Sequence, residues 1–137
     1  MNLQPYLIFD GQCEAAFNFY RQHLGGELTA MMRFDEMPGG EPVPEGVAQR
    51  IMHARLEVDG FVLMASDNHP DHPYEGIKGC SISLGVDEVA DAERLFAALS
   101  VGGSVQMPLQ ETFWAARFAM LVDRFGVPWM INCERRQ

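Results

Sequence analysis

The sequence predicts an α+β fold, in which two similar βαβββ units form a curved, mixed sheet around a cleft. Three observations predict it: two amphipathic helical segments each follow a short apolar strand, alternating strands follow each helix, and the pattern of the first half returns in the second. A length of 137 residues suits a single domain. We expect a first unit at 1–67, a linker at 68–79 and a second unit at 80–137.

The repeat is clearest around the two helices. The segment 7–10, Leu-Ile-Phe-Asp, resembles the segment 84–87, Leu-Gly-Val-Asp, which lies 77 positions later. At the same spacing, the pair Gly25-Gly26 corresponds to Gly102-Gly103. Each unit therefore reads as a strand, a turn, a helix and a glycine stop.

The repeat returns near the end of each half with a shorter spacing. The segment 61–67 corresponds to 127–133, 66 positions later, and Val58 is matched with Val122. Between the two matches the first half has eleven extra residues, which form the Pro/Gly/Glu-rich stretch 36–46. Such a composition predicts a mobile, solvated loop.

Apolar residues at helical spacing predict helices at 13–24 and 89–100. Runs rich in apolar residues predict the strands. The first unit has predicted strands at 4–9, 27–34, 49–58 and 61–66, and the second unit has them at 80–86, 104–109, 117–122 and 128–133.

Charge and cysteine content exclude several classes of function. The net charge of −9 disfavours nucleic acid and anionic membrane surfaces as partners. No apolar run approaches bilayer-spanning length, and the first five residues do not resemble a signal peptide. The three cysteines, Cys13, Cys80 and Cys133, form no CxxC pair. We therefore expect reduced thiols in a cytoplasmic protein.

The ordered motifs resemble the PhnB-like branch of the vicinal oxygen chelate superfamily, which includes glyoxalase I, bleomycin-resistance proteins and extradiol dioxygenases. The motifs that carry the resemblance are the segments 6–11, 14–20, 24–27, 53–56, 63–67 and 123–129. The resemblance implies paired βαβββ units, a cleft and a homodimer. It names no reaction, because members of this superfamily carry out different chemistries.

Enzymes of this superfamily hold a divalent metal with His and Glu or Gln from the first and last strand of each unit. The equivalent positions here are Gln4, Met64, Ser81 and Met130 in one register, or Pro5, Leu63, Ile82 and Trp129 in the other. Neither register supplies His, Asp or Glu, and Gln4 is a single amide that cannot hold a metal alone, so we expect this site to lack the usual metal and the protein to need no cofactor.

A second candidate metal site is the stretch 67–75, which contains two histidines and three acidic residues. Zinc uses such ligands, but two prolines interrupt any helix that would align His69 with His72. The stretch either binds a metal or is a solvated loop between the units.

The third strand of the first unit places His53 and Arg55 on the face opposite the helix. The repeat puts Arg117 of the second unit at the place of His53. These three side chains are candidates to bind a small anion, and His53 is a candidate general base. The alternative is an exposed polar face without a ligand.

The remaining candidate cleft residues are aromatic, apolar or small and polar. Trp114 lies between predicted strands, and Trp129 belongs to a Met-rich aromatic cluster that is either a pocket wall or core packing. The other predicted ligand-binding residues are Tyr6, Met64, Ser81, Ser83 and Asn132.

The sequence therefore favours metal-independent binding of an unidentified small molecule in a cleft between the two units. The alternative is an enzyme, of isomerase, lyase or transferase type, in which His53 is the base and Arg55 or Arg117 holds an oxyanion. A third interpretation is a structural or regulatory dimer with a filled cleft.

Overall fold

A computed structural model describes residues 1–36 and 42–135. The first unit contains strands β1 (Tyr6–Phe9), β2 (Glu27–Arg33), β3 (Ile51–Val58) and β4 (Phe61–Asp67), with helix α1 (Cys13–Leu24) and a short 3-10 helix at Phe34–Glu36. The second contains β5 (Ile82–Val86), β6 (Ser104–Gln110), β7 (Ala115–Val122) and β8 (Pro128–Glu134), with helix α2 (Val89–Ser100). The predicted α+β class and the repeated βαβββ order are confirmed.

The first unit is a four-stranded sheet with the order β1-β4-β3-β2. Strands β1 and β4 run parallel, and the β3 pairings with β2 and β4 are antiparallel. Helix α1 packs on one face of this sheet against β2, β3 and β4. Its buried side chains, which include Phe17 and Tyr20, form the core with Leu56 and Phe9.

The second unit repeats this topology with the order β5-β8-β7-β6. Strands β5 and β8 run parallel, and helix α2 packs against one face through Ala92, Leu95 and Leu99. Trp129 and Ile131 of β8 lie buried on that face.

In each unit, one glycine between the helix and the second strand allows the backbone to pass close to the third strand. A Cβ on Gly26 would collide with the carbonyl oxygen of Glu57, and a Cβ on Gly103 would collide with that of Val122. Both sites therefore require glycine because the third strand of the unit lies directly beneath them.

The predicted alignment of β3 with β7 is wrong by one residue. Ala54 pairs with Ala65, whereas its counterpart Ala119 pairs with Ile131, so Phe118 and not Arg117 occupies the place of His53. The turn explains the slip: it holds two residues, 59–60, in the first unit and three residues, 124–126, in the second. A slip of one residue moves a strand side chain to the opposite face of the sheet.

The boundary between the units falls between Gly76 and Ile77, inside the predicted linker. Residues 68–76 belong to the first unit and pack at the ends of its strands. In the predicted loop 36–46, residues 37–41 lie outside the described residues. All three cysteines are free thiols. Along the described part of the chain, neither helix has the length and apolar content needed to cross a bilayer.

Candidate functional site

The face of the first sheet that α1 leaves uncovered carries most of the predicted polar site residues. Along β3 and β4, buried residues such as Leu56 and Leu63 face the helix, so the alternate residues point to the opposite side. We call this side the open face of the first sheet. Its residues are Tyr6 and Ile8 on β1, Val62, Met64 and Ser66 on β4, and His53, Arg55 and Glu57 on β3.

Tyr6 and His53 come together on this open face. The Tyr6 hydroxyl oxygen lies 3.2 Å from Nδ1 of His53, and the two rings stack with their centroids 5.9 Å apart. Tyr6 is 45% exposed, so the pair remains accessible. A phenol and an imidazole in this arrangement can offer a hydrogen-bond donor or an acceptor to a bound molecule.

Arg55 lies in the same row of the sheet. It pairs with Met64, which in turn pairs with Tyr6, so the three residues are neighbours across three strands. Its guanidinium lies 3.5 Å from the Glu57 carboxylate, a long contact between two exposed groups. Such a pair contributes little, about 0–1 kcal/mol, and leaves Arg55 available for an anionic ligand.

Ser81, Ser83 and Asn132 lie in the second unit. Ser83 is exposed on the uncovered face of the second sheet, and Ser81 precedes β5. Asn132 pairs with Gly85 and Phe118 on the same face. Its side-chain oxygen is buried and finds no hydrogen-bond partner among the described residues. An unpaired buried carbonyl is costly, so this atom is a candidate contact for a ligand.

Trp114 is 47% exposed and precedes β7. Its ring makes an edge contact with Phe118 at 5.3 Å, and Phe113 makes an edge contact with Trp114 at 4.8 Å. The three rings form an accessible aromatic cluster, suited to contact a flat, apolar molecule.

Trp129 does not belong to a pocket wall. It is 1% exposed, and it lies on the side of the second sheet that α2 covers. Its indole N–H donates to the Asp123 carboxylate at 2.8 Å, and Asp123 also accepts the backbone N–H groups of Phe125 and Val127. Trp129 and Asp123 therefore stabilise the turn before β8.

Arg117 also lies away from the uncovered face of its sheet. It pairs with buried Cys133 and shares the face of Ala119, which α2 covers. Its guanidinium donates to the carbonyl oxygen of Ala116. The expectation that Arg117 takes the place of His53 is wrong because of the longer turn of the second unit.

The sequence pattern did not lead us to predict the structural role of Asp67. This carboxylate is 3% exposed and accepts the backbone N–H groups of Cys13 at 3.0 Å and Ile51 at 2.8 Å. It therefore joins the first turn of α1 to the start of β3 and satisfies a donor at the helix terminus. The alternation of Leu63, Ala65 and Asp67 was a signal for this orientation.

The strands that carry metal ligands in the superfamily present few ligand atoms here. The uncovered faces of β4 and β8 offer Met64 and Met130, while Leu63 and Trp129 face the helices. Within residues 1–36 and 42–135, no group of three or more His, Cys, Asp or Glu side chains is arranged to hold a metal ion. This includes the histidines of the stretch 67–75.

The duplicated βαβββ topology, with two four-stranded mixed sheets and one helix on each, defines the class of glyoxalase-like folds. The family model of the Glyoxalase/Bleomycin resistance protein/Dioxygenase superfamily matches residues 2–131. The chain belongs to this superfamily, which confirms the family predicted from the motifs.

Relatives extend the likeness to nearly the full chain. The crystal structure of protein PA1353 from Pseudomonas aeruginosa is 62% identical, covers 99% of each chain and has a TM-score of 0.93. Protein YjdN from Escherichia coli K12 is 37% identical and covers 100% of this chain and 98% of its own. The PhnB protein from Bacillus cereus is similar in fold, with a TM-score of 0.81 at 24% identity over 97% of this chain and 99% of its own.

Proposed function

We propose that the chain binds a small organic acid on the open face of the first sheet, without a metal ion. The observation that carries the proposal is the Tyr6–His53 pair, whose atoms approach to 3.2 Å beside Arg55. The Arg55 guanidinium can bind a carboxylate through two parallel hydrogen bonds. The Tyr6 and His53 rings then contact the body of the ligand.

The composition of the uncovered faces supports a metal-independent site. Met64 and Met130 stand where the superfamily's enzymes place oxygen or nitrogen ligands. A thioether is a poor ligand for the hard divalent cations that carboxylates and imidazoles hold. Binding would therefore depend on Arg55, His53 and Tyr6 themselves.

The second unit, taken by itself, carries further candidate ligand contacts, which are Ser81, Ser83, Trp114 and Asn132. Trp129 is left out because it is buried on the α2 side, and Arg117 because it lies on the same side of the sheet. Assembly as a homodimer and a cytoplasmic location belong to the same proposal, supported by the family resemblance and the free thiols.

The test is titration of EDTA-dialysed protein with benzoate and with benzyl alcohol, followed by nuclear magnetic resonance of the backbone amides. The benzoate is expected to shift the signals around His53 and Arg55 and to bind at least about five-fold more tightly than the alcohol. Arg55→Gln should remove this preference. Arg94→Gln, which removes the same charge from α2, should retain it. Equal binding of both probes by the original chain would contradict the proposal.

An enzyme acting on a small polar substrate is the second candidate. It is favoured by the hydrogen bond between Tyr6 and His53, because such a partner can fix the tautomer of a catalytic imidazole. In that case His53 is the base and Arg55 alone holds the oxyanion, since Arg117 lies on the covered face of its sheet. A His53→Gln variant that keeps full turnover of a discovered substrate would exclude it.

A further inference from the structure

The first unit contains a cavity of about 480 Å³ at the carboxyl ends of β1 and β4. The residues that line it include Ile8, Phe34, Ser66, Pro73, Tyr74 and Glu75. None of the predicted catalytic or ligand-binding residues lines it, whereas residues 67–75, which the sequence offered as a candidate metal site, form much of its lining. Its volume falls within the range of small-molecule pockets.

The wall formed by residues 68–76 is held in place by several hydrogen bonds. The Asn68 backbone N–H donates to Phe9 at 2.7 Å, and the Asn68 side chain donates to the His72 carbonyl oxygen at 3.0 Å. Arg50 donates to the Asn68 side chain at 2.8 Å and to Asp10 at 2.9 Å. The cavity is therefore largely preformed, which lowers the entropic cost of binding.

Glu75 supplies an exposed carboxylate to the cavity, and among the described residues that line it there is no Lys or Arg. Asp67 also lines it, but its carboxylate is buried and already accepts two backbone N–H groups. Arg50 lies nearby, but its charge is offset by Asp10. Burial, and then the negative charge of Asp10, raise the pKa of Tyr74, so its phenol stays neutral.

Aromatic rings accompany the Glu75 carboxylate. Tyr74 lines the cavity, and Phe34 makes an edge contact with the His69 ring at 5.8 Å. Ring faces attract organic cations, and a carboxylate such as Glu75 adds a direct charge contact. Ile8 and Pro73 add an apolar surface.

We propose that this cavity binds an organic cation: an ammonium group attached to a compact apolar body. The ammonium would lie between the Glu75 carboxylate and the Tyr74 ring, and the apolar body would contact Ile8, Phe34 and Pro73. This site shares Ile8 and Ser66 with the open face of the first sheet but uses none of Tyr6, His53 and Arg55, so its test is distinct from that of the proposed function.

Calorimetric titration with 2-phenylethylamine, which is a cation at pH 7, and with neutral 2-phenylethanol tests the charge requirement. The amine is expected to bind at least about five-fold more tightly than the alcohol. Glu75→Gln should weaken amine binding about five-fold, and Tyr74→Leu should do the same. Glu93→Gln, an exposed site on α2, is the control and should not change it. If Tyr74→Leu does not fold, Phe34→Leu tests the aromatic contact instead.

Two results would overturn the proposal. One is equal affinity for the amine and the alcohol, or an amine affinity that Glu75→Gln leaves unchanged. The other is displacement of the amine by stoichiometric Zn²⁺, which would show that His69 and His72 form a metal site. An Arg55→Gln variant should lose its binding of benzoate and keep its affinity for the amine, so the two sites are tested separately.

Discussion

The Tyr6 hydroxyl and the Nδ1 atom of His53 lie 3.2 Å apart, although 47 positions separate the two residues in the sequence. Strand β4 lies between their strands, so the two side chains meet across it. Both atoms belong to the open face of the first sheet. The direction of this hydrogen bond decides what His53 can do.

If His53 helps to bind an acid, we expect the Tyr6 hydroxyl to donate its proton to Nδ1 of His53. The proton then lies on Nε2, where it can be donated to the carboxylate of a ligand. Long-range ¹H–¹⁵N correlation spectra of the imidazole report the tautomer. A Tyr6→Phe variant should show a smaller fraction of the His53 ring with its proton on Nε2. A predominant Nδ1–H form, which leaves Nε2 free as a base, would favour the enzyme instead.

The corrected register predicts that Arg117 has no part in binding an acid. An Arg117→Gln variant should bind benzoate within about two-fold of the original chain, because the side chain shares the face of buried Cys133. Arg55→Gln is the matched comparison on the third strand of the first unit. A loss of benzoate binding in Arg117→Gln equal to that in Arg55→Gln would show that the register assignment is wrong.

Asp67→Asn should destabilise the fold by about 2 kcal/mol. The carboxylate accepts one N–H from Cys13 and one from Ile51, and an amide can accept only one of them without presenting its own donors to the other. Urea unfolding measures the change. Asp59→Asn is the control, because Asp59 is exposed at a φ of 50° that asparagine adopts readily, and it should be nearly neutral.

Asn132→Leu should leave the free energy of unfolding unchanged or raise it by about 1 kcal/mol. The substitution removes a buried oxygen that has no partner within the described part of the chain and replaces it with an apolar group of similar size. Thermal unfolding of ligand-free protein measures this. A destabilisation above about 1 kcal/mol would show that the amide has a structural role.

Thiol reactivity should separate the three cysteines. Burial, followed by the nearby Asp67 and Glu14 carboxylates, raises the pKa of the Cys13 thiol, so it carries no thiolate at pH 8. Cys133 is also buried, whereas Cys80 is exposed. A chromogenic disulfide reagent should label one thiol in the native protein and three after unfolding, and Cys80→Ser should remove the fast reaction. Rapid native labelling of Cys13 would contradict this assignment.

The sequence predicted the fold well because its signals are local. The apolar spacing located α1 and α2 at their observed bounds, and the strands followed within a few residues. The Gly-Gly pairs identified the repeat, and Gly26 and Gly103 occupy equivalent close approaches to the third strands.

The site was predicted less completely because it depends on register. The turn 124–126 is one residue longer than the turn 59–60. For this reason Phe118, and not Arg117, lies on the uncovered face of the second sheet. Trp129 was predicted to line a pocket because it lies in a stretch rich in Met and aromatic residues. In the structure, its indole N–H donates to Asp123 on the side of the sheet that α2 covers. The Tyr6–His53 pair joins strands distant in sequence, so no local pattern reveals their contact.

Native mass spectrometry of the protein taken directly from cells, combined with elemental analysis, can decide whether the chain binds a small molecule without a metal ion. We expect a bound small organic molecule with no stoichiometric divalent metal, and loss of that molecule in an Arg55→Gln variant. A protein that carries one Zn²⁺, Ni²⁺ or Mn²⁺ per chain, together with a ligand retained only while the metal is present, would contradict it.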